Sequence, residues 1–121
     1  QVLDTLTARW FTDAFCAAHP EVIDWRKKQV MDTPAEAFLH VFDIYAECEM
    51  APWLHEVTAP AQIITGENDG GCNPRLNRLI QAAMPGSELV ILPELKHAIF
   101  IEATDHVLPH VRRFLLEQSA R

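Results

Sequence analysis

The sequence predicts an α/β fold: a helical N-terminal segment followed by a β-α-β-α unit with parallel strands. Three observations carry that expectation. Apolar residues recur at helical spacing up to about residue 48, with no strand pattern among them. Two short apolar runs, Ile63-Ile64 and Leu89 to Leu92, then flank a helix-like segment, and the strands that carry them, 62–65 and 88–92, end at a turn former, Gly66 or Pro93. The apolar character of both strands suits a parallel sheet covered on two sides.

The elements follow in order. Residues 1–18 read as mostly helical with a break near Thr12, and Leu3, Leu6, Trp10, Phe11 and Phe15 share a face. His19-Pro20 punctuates the chain, and Pro20 with Glu21 suits the first turn of a helix over about 21–31. Thr33-Pro34-Ala35-Glu36 reads as a capping box, with Thr33 as the cap. Phe38, Val41, Phe42 and Tyr45 then form an apolar helix face. Residues 50–57 read as a short linker helix or turn, in which Trp53 and Leu54 are expected to anchor against a core. Trp25 is likewise read as packing. Asn73-Pro74 starts a helix whose inner face is Leu76, Leu79, Ile80 and Ala83, and Pro85-Gly86 stops it. The last helix begins near Thr104, with Val107, Leu108, Val111, Phe114 and Leu115 as its buried face and Pro109 in its early turns.

The bulk properties exclude several function classes. A length of 121 residues suits one domain, and a hydrophobic share of 49% is that of a folded chain. The net charge of −7 opposes nucleic-acid binding, and the compact basic cluster Arg26-Lys27-Lys28 reads as a solvated helix face. Cys16, Cys48 and Cys72 are odd in number and widely spaced, which points to a reducing, cytoplasmic setting. No apolar run approaches the roughly 18 residues of a membrane span, so no membrane partner is expected. The first residue is Gln, and the chain is expected to be a processed or truncated piece of a longer protein. Two strands are few for a sheet. The remainder is expected either from an omitted part of the protein or from a second copy of the chain.

The candidate chemistry lies in the loops after the two strands. In a parallel sheet both loops emerge on one edge, where open α/β sheets place their sites. Asp69 lies in the first loop and His97 in the second. No G-x-S-x-G elbow accompanies them. The serines are Ser87 and Ser119, and neither has glycines at that spacing. Cys72 follows the Asp69 loop closely, but it has no elbow and no oxyanion loop, and it reads as a small buried or loop residue. His106 and His110 are four apart, without H-E-x-x-H or a third ligand, so no metal is expected. Gly66, Gly70 and Gly71 make no dinucleotide fingerprint, and no cofactor is expected.

Residues 57–115 resemble the C-terminal part of an α/β-hydrolase. Gly66-Glu67-Asn68-Asp69 is similar to the family's G-x-x-D, whose Asp is commonly the triad acid, and His97 with Glu102 is similar to the loop of the triad His. Thr7-Ala8-Arg9-Trp10-Phe11-Thr12 and His19-Pro20-Glu21 resemble the cap of 3-oxoadipate enol-lactonases and close relatives. The resemblance implies a partial α/β-hydrolase fold: residues 1–50 as a helical cap segment and 51–121 as the C-terminal part of the core. It implies Asp69 and His97 as catalytic acid and base, and Trp10 as a substrate-facing wall. The implied reaction is hydrolysis of a small carboxylated enol-lactone or ester by a Ser-His-Asp mechanism whose serine lies outside this chain. The missing N-terminal half or a second copy is then the protein partner. The alternative is a catalytically inactive hydrolase-like domain that dimerises or binds a partner. Lys96, where many relatives carry Gly, Thr104, where many carry Pro, and Gly70-Gly71-Cys72 depart from the family pattern.

Overall fold

The structure, a computed structural model, describes residues 2–120. Gln1 and Arg121, the outer limits of the two expected segments, lie outside the described residues. Four helices come first: α1 (Val2–Trp10), α2 (Asp13–Ala18), α3 (Pro20–Asp32) and α4 (Ala35–Glu47). A short 3-10 turn, Leu54–Glu56, leads into β1 (Gln62–Gly66). Then follow α5 (Pro74–Ala83), β2 (Glu88–Leu92), the four-residue α6 (Ile99–Glu102) and α7 (Thr104–Ser119). The expected order of helices and strands is present, and α6 is an addition to it.

The two strands pair in parallel, in the register Gln62 to Glu88 through Gly66 to Leu92. Both C-terminal ends therefore reach the same sheet edge. Asn73 caps α5 by accepting from the Leu76 amide at 3.1 Å, as its place before Pro74 predicts. Leu92, Ile99 and Val107 form a buried cluster, and Ile64, Val90, Leu95 and Val111 pack against it. In the helical segment Phe11 is fully buried and stacks on Phe15, with ring centroids 5.4 Å apart.

Several expected local roles differ. Thr33 does not cap α4: its hydroxyl donates back to the Gln29 carbonyl at 2.9 Å, closing α3 instead. Trp25 and Trp53 are about half exposed, so neither is a core anchor. The Trp53 indole N–H donates to the Glu49 carbonyl at 3.2 Å, which holds the ring at the surface. In α5, Leu76 and Leu79 are exposed, while Asn77 and the C-cap residue Met84 are buried. The buried Asn77 amide is satisfied by the turn before the helix, donating to the Cys72 and Asn73 carbonyls at 2.7 and 3.0 Å. In α7, Leu108 and Leu115 are exposed because they lie about 80–100° around the helix from buried Val107. Pro109 lies inside α7 without displacing its start.

Helix α4 is the outlier. It has no buried residue, and Phe38, Val41, Phe42 and Tyr45 are all exposed. Its apolar stripe is present as the spacing predicts, but among the described residues no element buries it.

Candidate active site

Parallel pairing delivers the loops after β1 and β2 to one place, and backbone contacts fasten them together. The Glu67 amide donates to the Leu92 carbonyl at 2.9 Å, and the Asn68 amide to the Leu95 carbonyl at 2.8 Å. The Glu67 carboxylate accepts from the Glu94 amide at 3.0 Å, and the Asn68 side chain donates to the Glu94 carbonyl at 3.2 Å. Gly66 allows this closeness. A Cβ at residue 66 would stand 2.1 Å from the Lys96 carbonyl oxygen and 2.5 Å from that of Leu95. No side chain fits there.

Asp69 and His97 meet across this junction. His97 Nδ1 lies 2.7 Å from Asp69 Oδ2. Asp69 is buried, and its other oxygen accepts from the Gly71 and Cys72 amides at 2.8 and 2.9 Å. Burial pushes the Asp69 carboxyl up. The hydrogen bond to His97 and the two amides outweigh it, so the net direction is below the usual carboxylate range. An ionised Asp69 only accepts, so Nδ1–H of His97 is the donor. The imidazole then keeps its Nε2 lone pair free for a reacting proton, and half of its side chain is exposed.

The helical segment orients His97 from the other side. The Trp10 carbonyl, at the end of α1, accepts from both the His97 and Ala98 amides, at 3.0 and 2.8 Å. Lys96 Nζ donates to the Ala8 carbonyl and to Asp13 Oδ1, each at 2.9 Å. Glu102 holds Thr12 twice: it accepts from the Thr12 amide at 3.0 Å and, through its other oxygen, from the Thr12 hydroxyl. The same hydroxyl caps α2 by accepting from the Phe15 amide at 3.2 Å. Lys96 and Glu102 thus tie the His97 loop to the α1–α2 corner.

An apolar cleft of about 330 Å³ opens at the pair. Leu6, Trp10, Val41, Phe42 and Tyr45 line it together with Arg9, Asp69 and His97. Trp10 therefore shares a cleft with the acid–imidazole pair, and Arg26 stacks over its ring at 5.2 Å. Arg9 was not singled out from the sequence, although it stands beside Trp10 in the T-A-R-W-F-T stretch.

Ser87 lies just before β2, at the opposite end of the strand from His97, and the Ser119 hydroxyl donates to the Leu115 carbonyl at 2.9 Å. Neither joins the pair. Cys72 is close, with a ligating atom within 4.8 Å of those of Asp69 and His97. This three-residue group has the donor types of a metal site, a possibility that the sequence did not raise for these residues. Both Asp69 oxygens are already engaged by N–H donors, so a metal would have to displace them. Burial and the Asp69 charge push the Cys72 thiol up, away from the thiolate a nucleophile needs.

Compared with solved structures, the chain superposes on the enol-lactonase from Burkholderia xenovorans LB400 with a TM-score of 0.90, at 24% identity over 95% of this chain. The chain carries part of an α/β-hydrolase fold. It spans 44% of that hydrolase's length. Among curated proteins, 68 residues (56% of this chain) are 26% identical to 3-oxoadipate enol-lactonase 2 of Acinetobacter baylyi, covering 26% of it. Likewise, 77 residues (60% of this chain) are 27% identical to the proline iminopeptidase PfmaB of Pestalotiopsis fici, covering 27% of it. The chain thus spans less than half of the relatives it matches. No protein-family model matches it. Within this α/β-hydrolase portion, no serine occupies a G-x-S-x-G elbow. Among the described residues, no helix is long and apolar enough to cross a membrane.

Proposed function

We propose that this chain supplies the acid and base of a serine hydrolase acting on a small carboxylated enol-lactone or ester. The hydrogen bond of His97 Nδ1 to buried Asp69 carries the reading. In this mechanism Asp69 fixes the tautomer and stabilises the imidazolium. His97 Nε2 takes the proton from a serine as it attacks the carbonyl, then returns it to the leaving oxygen. Water releases the acyl-enzyme by the same route. The serine and oxyanion donors come from polypeptide outside this chain. Residues 1–50 act as a cap, residues 51–121 as the end of the core, and Trp10 as a wall of the substrate cleft. A cytoplasmic setting follows from the cysteine usage.

The test has two parts. The chain alone should not hydrolyse an enol-lactone or p-nitrophenyl acetate. Joined to a polypeptide that supplies a G-x-S-x-G serine on the matching half of the fold, it should do so, and His97→Ala or Asp69→Asn should remove about 10³-fold or more of the rate. Hydrolysis by the chain alone that depends on His97, or a joined protein indifferent to His97, would overturn the proposal.

The exposed apolar face of α4 favours a second reading, a hydrolase-like domain that binds a partner or dimerises without catalysis. Sedimentation of the chain separates the two. A stable dimer, with no activity gained from a serine-bearing half, selects the second reading.

A further inference from the structure

We propose that Cys72, His97 and Asp69 form a binding site for a thiophilic divalent cation of the Zn²⁺ type, and that the bound ion switches the imidazole off as a base. The binding stands by itself. Its consequence for catalysis rests on the hydrolase reading.

The three side chains each offer one ligand atom, and these atoms lie within 4.8 Å of one another. Nδ1 is the imidazole atom that faces the carboxylate. The backbone beneath the ligands is held in place. The Cys72 amide donates to Asp69 Oδ1 at 2.9 Å, and its carbonyl accepts from the Thr65 hydroxyl and the Asn77 side-chain amide, each at 2.7 Å. The His97 amide donates to the Trp10 carbonyl at 3.0 Å. A main chain fixed in this way lowers the cost of gathering ligands around an ion. Cys72 is an exposed free thiol and about half of the His97 side chain is exposed, so an ion reaches them from the cleft that all three residues line. Cys16 and Cys48 belong to no such group among the described residues.

One thiolate sulfur, one imidazole nitrogen and one carboxylate oxygen suit Zn²⁺ and not the hard ions Mg²⁺ or Ca²⁺. Tetrahedral Zn²⁺ holds such atoms roughly 3.3–3.6 Å apart, and its fourth position is left for water. The 2.7 Å separation of Nδ1 and Oδ2 then opens by about 0.6 Å, and the Cys72 side chain swings in by about an ångström. Of the three N–H donors on Asp69 only Nδ1–H gives way, because Oδ1 keeps the Gly71 and Cys72 amides. The Cys72 thiol proton passes to solvent as the sulfur binds. The metal takes the Nδ1 position, and the neutral imidazole carries its single proton on Nε2 instead. One proton is therefore released per ion bound. The lone pair that would accept a serine proton is no longer there.

The test titrates ZnCl₂ into the reduced chain, followed by calorimetry and by NMR of the imidazole nitrogens. One Zn²⁺ per chain is expected to bind at about micromolar metal, with the His97 proton moved from Nδ1 to Nε2, and MgCl₂ should do neither. Cys72→Ser and His97→Ala should each weaken Zn²⁺ about tenfold or more, while Cys16→Ser and Cys48→Ser stay within about twofold. Co²⁺ in place of Zn²⁺ should give a thiolate-to-metal charge-transfer band that Cys72→Ser removes. No binding up to about 1 mM metal, or binding that survives Cys72→Ser or His97→Ala, overturns the site. Should His97→Ala lose its dispersed spectrum, the cobalt band decides, and a band unmoved by Cys72→Ser overturns it. In the joined, serine-bearing protein, Zn²⁺ should lower hydrolysis about tenfold or more and a chelator should restore it. Cys72→Ser, measured against its own metal-free rate, should need about tenfold more Zn²⁺ for the same fractional loss. Undiminished hydrolysis at saturating Zn²⁺ overturns the switch. A chain that binds Zn²⁺ in this way but never hydrolyses with a serine-bearing half sinks the hydrolase reading and leaves the metal site standing.

Discussion

Helices α4 and α7 are both amphipathic, yet they end in opposite circumstances. Val107 of α7 is 1% exposed and packs with Leu92 and Ile99, whereas Val41 of α4 is 64% exposed. The difference lies in what surrounds each helix. In α7 the apolar stripe finds a parallel sheet of this chain. In α4 no described element buries the stripe, although Val41, Phe42 and Tyr45 line the cleft at His97. A hydrophobic stripe specifies that a helix needs a cover, and leaves open whether the same chain provides it.

The sharpest way to break the finished side is Gly66→Ala. The new methyl would collide with the Lys96 and Leu95 carbonyls, and backbone must move. A loss of about 3 kcal/mol or more is expected by urea denaturation, with the His97 side-chain resonance displaced. An unchanged midpoint would mean that the junction of the two loops is softer than described.

The comparison itself is tested by trimming one valine on each helix. Val107→Ala should cost about 2 kcal/mol, because it opens a cavity among Leu92 and Ile99. Val41→Ala should stay within about 0.5 kcal/mol in the isolated chain. Equal losses would show that α4 is covered in solution, and its cost should rise on addition of the element that covers it.

Asp69 gives a pH signature. Its folded pKa lies below its ordinary value, so its ionised form contributes stability that is fully present above the unfolded value, near 4. That contribution is lost as pH falls through the lower folded value. Asp69→Asn should cost about 1 kcal/mol at pH 7 and flatten the acid limb of the stability curve. Parallel acid limbs in the two proteins would rule out Asp69 as the linked group.

The smallest effect belongs to Lys96→Met. Asp13 is almost fully exposed, so solvent screens that ion pair, and the change should cost about 0.5 kcal/mol or less. Hydrogen exchange at the His97 and Ala98 amides should nevertheless quicken, since Lys96 helps hold Ala8 and Asp13 around the Trp10 carbonyl that they bond. Unchanged exchange would make the lysine a bystander.

Much of the fold was legible because the signals were local. The glycine and proline stops, the Asn73 cap and the change from helical to strand period lie within a few residues of the elements they define. Asp69 and His97 were legible because parallel strands carry their following loops to one edge. What escaped the sequence depends on contacts distant along the chain. Thr12 meets Glu102, 90 positions away, and Lys96 meets Ala8, 88 positions away. Thr33 followed a good capping pattern, and the end of α3 claimed its hydroxyl first. Arg9 is unremarkable as a surface arginine until the fold sets it beside His97.

The junction at Trp10 bears on how such proteins diversify. At the imidazole itself the helical segment holds the backbone through a main-chain oxygen, that of Trp10, which accepts from the amides of His97 and Ala98. Any residue type offers that oxygen. A foreign helical segment could therefore be grafted over the same core, with wholly different side chains facing the ligand, provided one helix ends with its carbonyl at this point. Ligand preference would then be free to drift while the imidazole keeps its aim.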